Sequence, residues 1–106
     1  MGYTPGSPVA LQSSGVITAT RNWVGVIVAS GSNLKFITVS PWAIGSKVYL
    51  SLNIGITITN NASSPPAGTA SILLATASGS KGPTTNGNSL LILYYDGTNW
   101  REEGVF

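Results

Sequence analysis

The chain of 106 residues has no cysteine and no histidine, and its five Lys or Arg against three Asp or Glu give a formal charge of +2. Those counts exclude a disulfide framework, a thiolate or imidazole metal site, and any serine–histidine catalytic arrangement. Charged residues make up only 8% of the chain, with Gly, Ser, Thr and Asn filling the polar positions. Val, Ile, Leu and aromatics recur in every segment, so the composition is that of one folded domain and not of a disordered linker.

Residues 1–15, MGYTPGSPVALQSSG, lack a basic region followed by an apolar stretch and do not form a secretory signal. Met1-Gly2 starts like a myristoylation site, but Gly6 stands where Ser or Thr is needed. Residues 1–14 read as a flexible N-terminal segment or a cloning boundary, and residues 15–106 as a single all-β domain.

Period-two alternation dominates the rest of the chain, and no window has helical spacing with good helix formers around it. Residues 15–20 are a short candidate strand. Residues 23–30 are a stronger one, with Val24, Val26 and Val28 on one face and Trp23, Gly25 and Ile27 on the other. In residues 34–40, Lys35, Ile37 and Val39 alternate with Leu34, Phe36 and Thr38. Pro41 to Gly45 interrupts, because proline lacks a ladder donor and glycine suits a corner. Residues 47–52 then turn Val48, Leu50 and Leu52 inward.

The cleanest alternation lies in residues 54–59, where Ile54, Ile56 and Ile58 oppose Gly55, Thr57 and Thr59. Residues 60–69, NNASSPPAGT, and 77–88, ASGSKGPTTNGN, read as long polar loops on either side of a short strand at 71–76. Asn61-Ala62-Ser63 matches a glycosylation tripeptide, but no secretory route accompanies it. Asp96-Gly97 between extended runs is a hairpin signal. Leu90, Ile92 and Tyr94 share one face of the preceding strand, and Leu91, Leu93 and Tyr95 the other. Such a two-sided apolar strand needs cover on both faces, one of which a second subunit can supply.

The expectation is therefore an all-β fold of about eight short strands, a small antiparallel β-sandwich or prism-like domain assembled as a homotrimer. No fixed repeat is visible, so the sequence alone does not support a solenoid. No apolar run nears the ~20 residues of a membrane span. Arg21, Lys35, Lys47, Lys81 and Arg101 are spread singly, whereas nucleic-acid binding rests on clustered cations. Neither nucleic acid nor membrane insertion is expected.

The chemistry of catalysis is thinly supplied. Glu102 and Glu103 are adjacent on a strand and point to opposite faces, so they do not make a facing carboxyl pair. Asp96 belongs to the turn, with Gly97. Pairing of Asp96 with Glu102 across the hairpin is the remaining arrangement, and nothing marks a pocket around it. Three scattered carboxylates do not build a calcium loop or a zinc site. No catalytic residue, metal or cofactor is expected. Trp42 and Tyr49 are candidate carbohydrate contacts, since flat apolar faces with polar tips suit sugar rings. Leu91, Leu93, Tyr95 and Trp100 are candidate subunit-interface residues, although Trp and Tyr in such a hairpin equally fill a core.

Residues 90–106, LLILYYDGTNWREEGVF, resemble the C-terminal segment of many bacteriophage tailspike and tail-fibre proteins. Phe36-Ile37-Thr38-Val39, Gly45-Ser46-Lys47-Val48-Tyr49-Leu50 and Ile56-Thr57-Ile58-Thr59-Asn60 agree with that pattern in order. The resemblance spans residues 23–106 and is to the small β-domain that follows the β-helix in such proteins. It does not extend to the β-helix that carries depolymerase activity in many tailspikes. The chain also ends Glu103-Gly104-Val105-Phe106 where the family often has a Ser-Arg tail, and it carries Pro65-Pro66 in a loop. The resemblance implies a non-catalytic trimer in the virion tail appendage, capping its distal end in host attachment. The alternatives are a carbohydrate-binding module for host-surface polysaccharide and a phage head fibre or decoration protein.

Overall fold

The computed structural model describes residues 8–28, 32–75, 81–87 and 89–103. Among them are eleven short strands and no helix. In chain order these are β1 (Val9–Leu11), β2 (Val16–Ile17), β3 (Trp23–Val28), β4 (Asn33–Leu34), β5 (Phe36–Thr38) and β6 (Lys47–Leu52). β7 (Thr57–Thr59), β8 (Thr69–Leu73), β9 (Lys81–Thr84), β10 (Ser89–Tyr95) and β11 (Trp100–Glu102) complete the set. Val9–Leu11 lies inside the stretch expected to be a tail, yet it pairs with β3 and its Leu11 is fully buried, so the domain begins before residue 15.

Among the described residues, five of the nine strand pairings are parallel, against the antiparallel expectation. β1, β3 and β6 form one parallel row, with Val9 opposite Val26 and Trp23 opposite Tyr49. β2 lies beside β5 in a second row and β4 beside β7 in a third. The chain thus visits the rows in one order through β3, β4 and β5, and starts the same circuit with β6 and β7. Parallel neighbours need such crossovers, because a hairpin cannot join them.

Past β7 the direction reverses. β8, β9 and β10 lie antiparallel on β5, β7 and β6 respectively, so the last circuit visits the rows backwards. β11 then pairs antiparallel with β10 and parallel with β8, joining two rows into one sheet of eight strands. The order is β1-β3-β6-β10-β11-β8-β5-β2, and β4-β7-β9 form a separate three-stranded sheet. The edge strands β1 and β2 are consecutive in the chain. Between them Gly15 N donates to Gln12 O at 2.9 Å and Gln12 N to Val16 O at 3.3 Å.

Side chains from every row meet in one core that includes Leu11, Ile17, Leu34, Leu50, Ile72 and Leu93. β6 turns Val48, Leu50 and Leu52 inward as its alternation predicts. Val24 and Val26 of β3 do the same, but Val28 is 42% exposed. Leu34 and Ile37 both reach the core because Lys35 is a corner between β4 and β5, which belong to different sheets, whereas Phe36 is buried outside that core, beside residues 61–64 and Pro66.

Two loop boundaries are corrected. Of residues 54–59 only Thr57–Thr59 is strand, since Asn53 Oδ1 takes the Ile54 amide at 2.7 Å and Gly55 turns at φ +84°. Ile54 is left 59% exposed, while Ile56 and Ile58 are buried. The expected loop at 77–88 contains β9, whose backbone is recruited by β7 through Thr57–Thr84 and Thr59–Lys81 pairs despite its polar composition. Residues 77–80 and 88 of that loop lie outside the described residues, as do 1–7, 29–31, 76 and 104–106.

Candidate functional site

The β10–β11 hairpin is joined by four residues, with Tyr95 opposite Trp100. Asp96 is the residue that closes it. Its Oδ1 accepts the Asn99 amide at 2.6 Å and the Thr98 amide at 2.8 Å, Asp96 N donates to Asn99 O at 3.0 Å, and Gly97 sits at φ +97°. Oδ2 accepts from Arg101 Nε. The Asn99 amide, the guanidinium and the Thr98 amide together hold the Asp96 carboxyl down at about 2. Asp96 and Gly97 therefore do the turn work that the sequence suggests.

The other carboxylates are engaged separately. Glu103 pairs with Lys47 at 2.6 Å, which raises the lysine pKa, and Glu102 Oε1 accepts the Ala75 amide at 2.9 Å. Among the described residues no group of three potential metal ligands assembles. Nor is any helix there long and apolar enough to cross a membrane.

The interface candidates divide by face. Leu91, Leu93 and Trp100 are buried in this chain's own core, and Tyr95 packs against it. Trp100 is the hub, with Tyr95 tilted against it at 5.2 Å and Trp42 edge-on at 6.1 Å. Its indole Nε1 is buried with no hydrogen-bond partner among the described residues. The opposite face of β10 is left outside that core: Leu90 is 51% exposed, and Ile92 and Tyr94 are half-buried.

That outer face carries an aromatic row. Ile92 lies opposite Tyr49, and Tyr49 opposite Trp23. The rings of Trp23 and Tyr49 stack at 5.5 Å and 12°. Tyr49 is thus part of a surface platform that Trp23 extends. Trp42 is tied down: its Nε1 donates to Ala19 O at 2.8 Å and its ring edge meets Trp100. Sequence reasoning did not bring Trp23 and Tyr49 together, because their pairing joins strands 26 residues apart in parallel.

Two concavities flank Glu102. One of about 240 Å3 lies between β9 and β10, with Asn86 and Ser89 at its rim. The other, about 580 Å3, opens between β8 and β10 beside Tyr94 and Arg101. Asn86 and Ser89 come from segments that read only as loop and strand start, so no sequence signal marked them. Searches against protein-family models, curated proteins and solved structures find no match for this chain.

Proposed function

We propose that this chain is a non-catalytic structural domain of a phage tailspike or tail fibre that forms a homotrimer and caps the distal end of the virion appendage. On this reading it is prism-like, with the three rows as its sides. The observation that carries the reading is the reversal of winding after β7: β8, β9 and β10 return over β5, β7 and β6, and β11 bridges two rows. A parallel winding that doubles back and ties itself off at one end is suited to terminating an elongated β-structure, where open strand edges otherwise invite unwanted pairing.

Two further features support it. The outer face of β10 and its neighbours presents Leu90, Ile92, Tyr49 and Trp23 as one apolar tract, the kind of surface that marks protein contacts. The run Tyr95-Asp96-Gly97-Thr98-Asn99-Trp100 carries the family resemblance, and its turn is closed by Asp96. Sedimentation equilibrium tests the assembly: three times the chain mass at micromolar concentration is expected, and a stable monomer overturns the proposal. Electron microscopy of virions labelled against this domain tests its position, with decoration of tail tips expected.

A further inference from the structure

We propose that Asn86-Gly87 is a self-modification site, at which the Gly87 backbone nitrogen attacks the Asn86 side-chain amide and the side chain ends as a carboxylate. A bond forms between Gly87 N and Asn86 Cγ, and the Cγ–Nδ2 bond breaks. The side-chain nitrogen leaves as ammonia, carrying the proton that Gly87 N gives up. Water then opens the cyclic imide at either carbonyl. One opening leaves an ordinary aspartyl residue, the other an isoaspartyl link that runs the backbone through the side chain. The sequence of steps takes up one water, releases one ammonia and transfers no electrons.

Asparagine is among the thermally labile residues, and glycine after it offers a backbone nitrogen with no Cβ to restrict the approach. Asn86 is the one asparagine of the chain that precedes a glycine. It is exposed and lies between β9 and β10, outside both strands. Among the described residues its side chain makes no hydrogen bond, and the Gly87 amide donates to no acceptor. Thr85, just before it, is held: its amide donates to Ile56 O at 2.9 Å and its carbonyl accepts Gly55 N at 2.8 Å. The reactive pair begins where that anchoring ends.

Other asparagines have both a bulkier neighbour and a fixed side chain. Asn22 Nδ2 donates to Lys47 O at 2.7 Å, Asn53 Oδ1 accepts the Ile54 amide at 2.7 Å, and Asn60 Oδ1 accepts the Leu74 amide at 2.8 Å. Asp96-Gly97 has the right neighbour but the wrong electrophile. Its carboxyl is held down at about 2, so at neutral pH it is an ionised group with no good leaving oxygen. The Thr98 and Asn99 amides and Arg101 occupy its oxygens as well. The turn at 96–97 therefore endures while the bend at 86–87 ages, and the new carboxylate takes the formal charge from +2 to +1. The reaction is intramolecular and draws only water from outside, so it rests neither on trimer formation nor on a place in a virion.

Peptide mapping by mass spectrometry, after incubation of the full chain at mildly alkaline pH in heavy-oxygen water, tests it. Expected are conversion at Asn86 ahead of every other asparagine, ammonia release, uptake of one heavy oxygen and reactivity with an isoaspartyl methyltransferase. Gly87→Ala is expected to slow conversion by roughly tenfold, since alanine reaches fewer backbone conformations. A Cβ at Gly87 meets nothing within 4 Å, so that variant keeps the native circular dichroism. In urea, with its caps gone, Asp96 begins to isomerise as well. An Asn86 that stays intact in the folded chain but converts in urea overturns the proposal. So does conversion spread evenly over the asparagines, Asp96 reacting as fast as Asn86 in the folded chain, or a Gly87→Ala variant that converts at the parent rate.

Discussion

Asp96 holds Arg101 with one carboxylate oxygen while its other oxygen caps the Thr98 and Asn99 amides of the same turn. The carboxylate thus joins both strands of the hairpin. Its pKa is lowered from 3.8 to about 2, so the folded chain favours the ionised form. The resulting stability is fully present above pH 3.8 and is lost as pH falls through about 2. Urea unfolding tracked across that window shows a decline that Asp96→Asn flattens. Asp96→Ala, which also removes both amide caps, costs about 1 kcal/mol at neutral pH, as at a helix cap.

Gly15 sits at φ +86° in the β1–β2 turn, and its carbonyl accepts from Lys35 N at 2.9 Å and Phe36 N at 3.0 Å. A Cβ there meets Lys35 Cγ at 2.7 Å. The outer lysine stem can swing away, but its Cβ at 2.9 Å is fixed by the backbone, and the left-handed conformation at Gly15 stays strained in any case. Gly15→Ala is expected to cost about 1–2 kcal/mol, seen as a lower Tm. Adding Lys35→Ala restores little of it, and full recovery in the double variant shows the contact, not the backbone, to be the source.

Local pattern was legible wherever one face of a strand is buried. Val48, Leu50 and Leu52 point inward as their alternation requires, and Asp96-Gly97 forms the turn. Ile54 fits the alternation of its neighbours yet lies in a turn, because the Asn53 side chain takes its amide and Gly55 turns the chain. Period two says which way a side chain points and says nothing of which strand lies beside it. Parallel partners here are 17, 20, 24, 26 and 28 residues apart, at Val9–Val26, Val16–Phe36, Asn33–Thr57, Trp23–Tyr49 and Ile72–Trp100. Circuits of unequal length leave no repeat to detect. The rim of Asn86, Ser89 and Glu102 was hidden for a related reason: the reversed circuit and the final hairpin bring those residues together.

Trp100 has no exposed surface, and its Nε1 lacks a partner among the described residues. Trp100→Ala removes the hub between Trp42 and Tyr95 and is expected to cost about 3–5 kcal/mol. Trp100→Phe leaves a smaller void and also deletes a buried donor whose desolvation is uncompensated. It is expected to cost less than half as much as the alanine. Urea denaturation read by circular dichroism makes the comparison, and equal losses would show that the indole nitrogen carries no penalty.

β10 divides its side chains between core and outer face. Leu93 is fully buried in the chain's own core, whereas Leu90, three residues earlier, is 51% exposed. Leu93→Ala opens a cavity and is expected to cost about 2–5 kcal/mol, with a loss that persists when protein concentration is varied. Leu90→Ser leaves the core intact, so protomer stability changes by about 0.5 kcal/mol or less. If the outer face carries the subunit contact, Leu90→Ser shifts sedimentation toward the single-chain mass and makes Tm depend on concentration. Ile92→Ser acts in the same direction, since Ile92 lies in the row with Tyr49 and Trp23. A trimer unaffected by both substitutions would move the interface off this face, and the apolar tract would then need another partner.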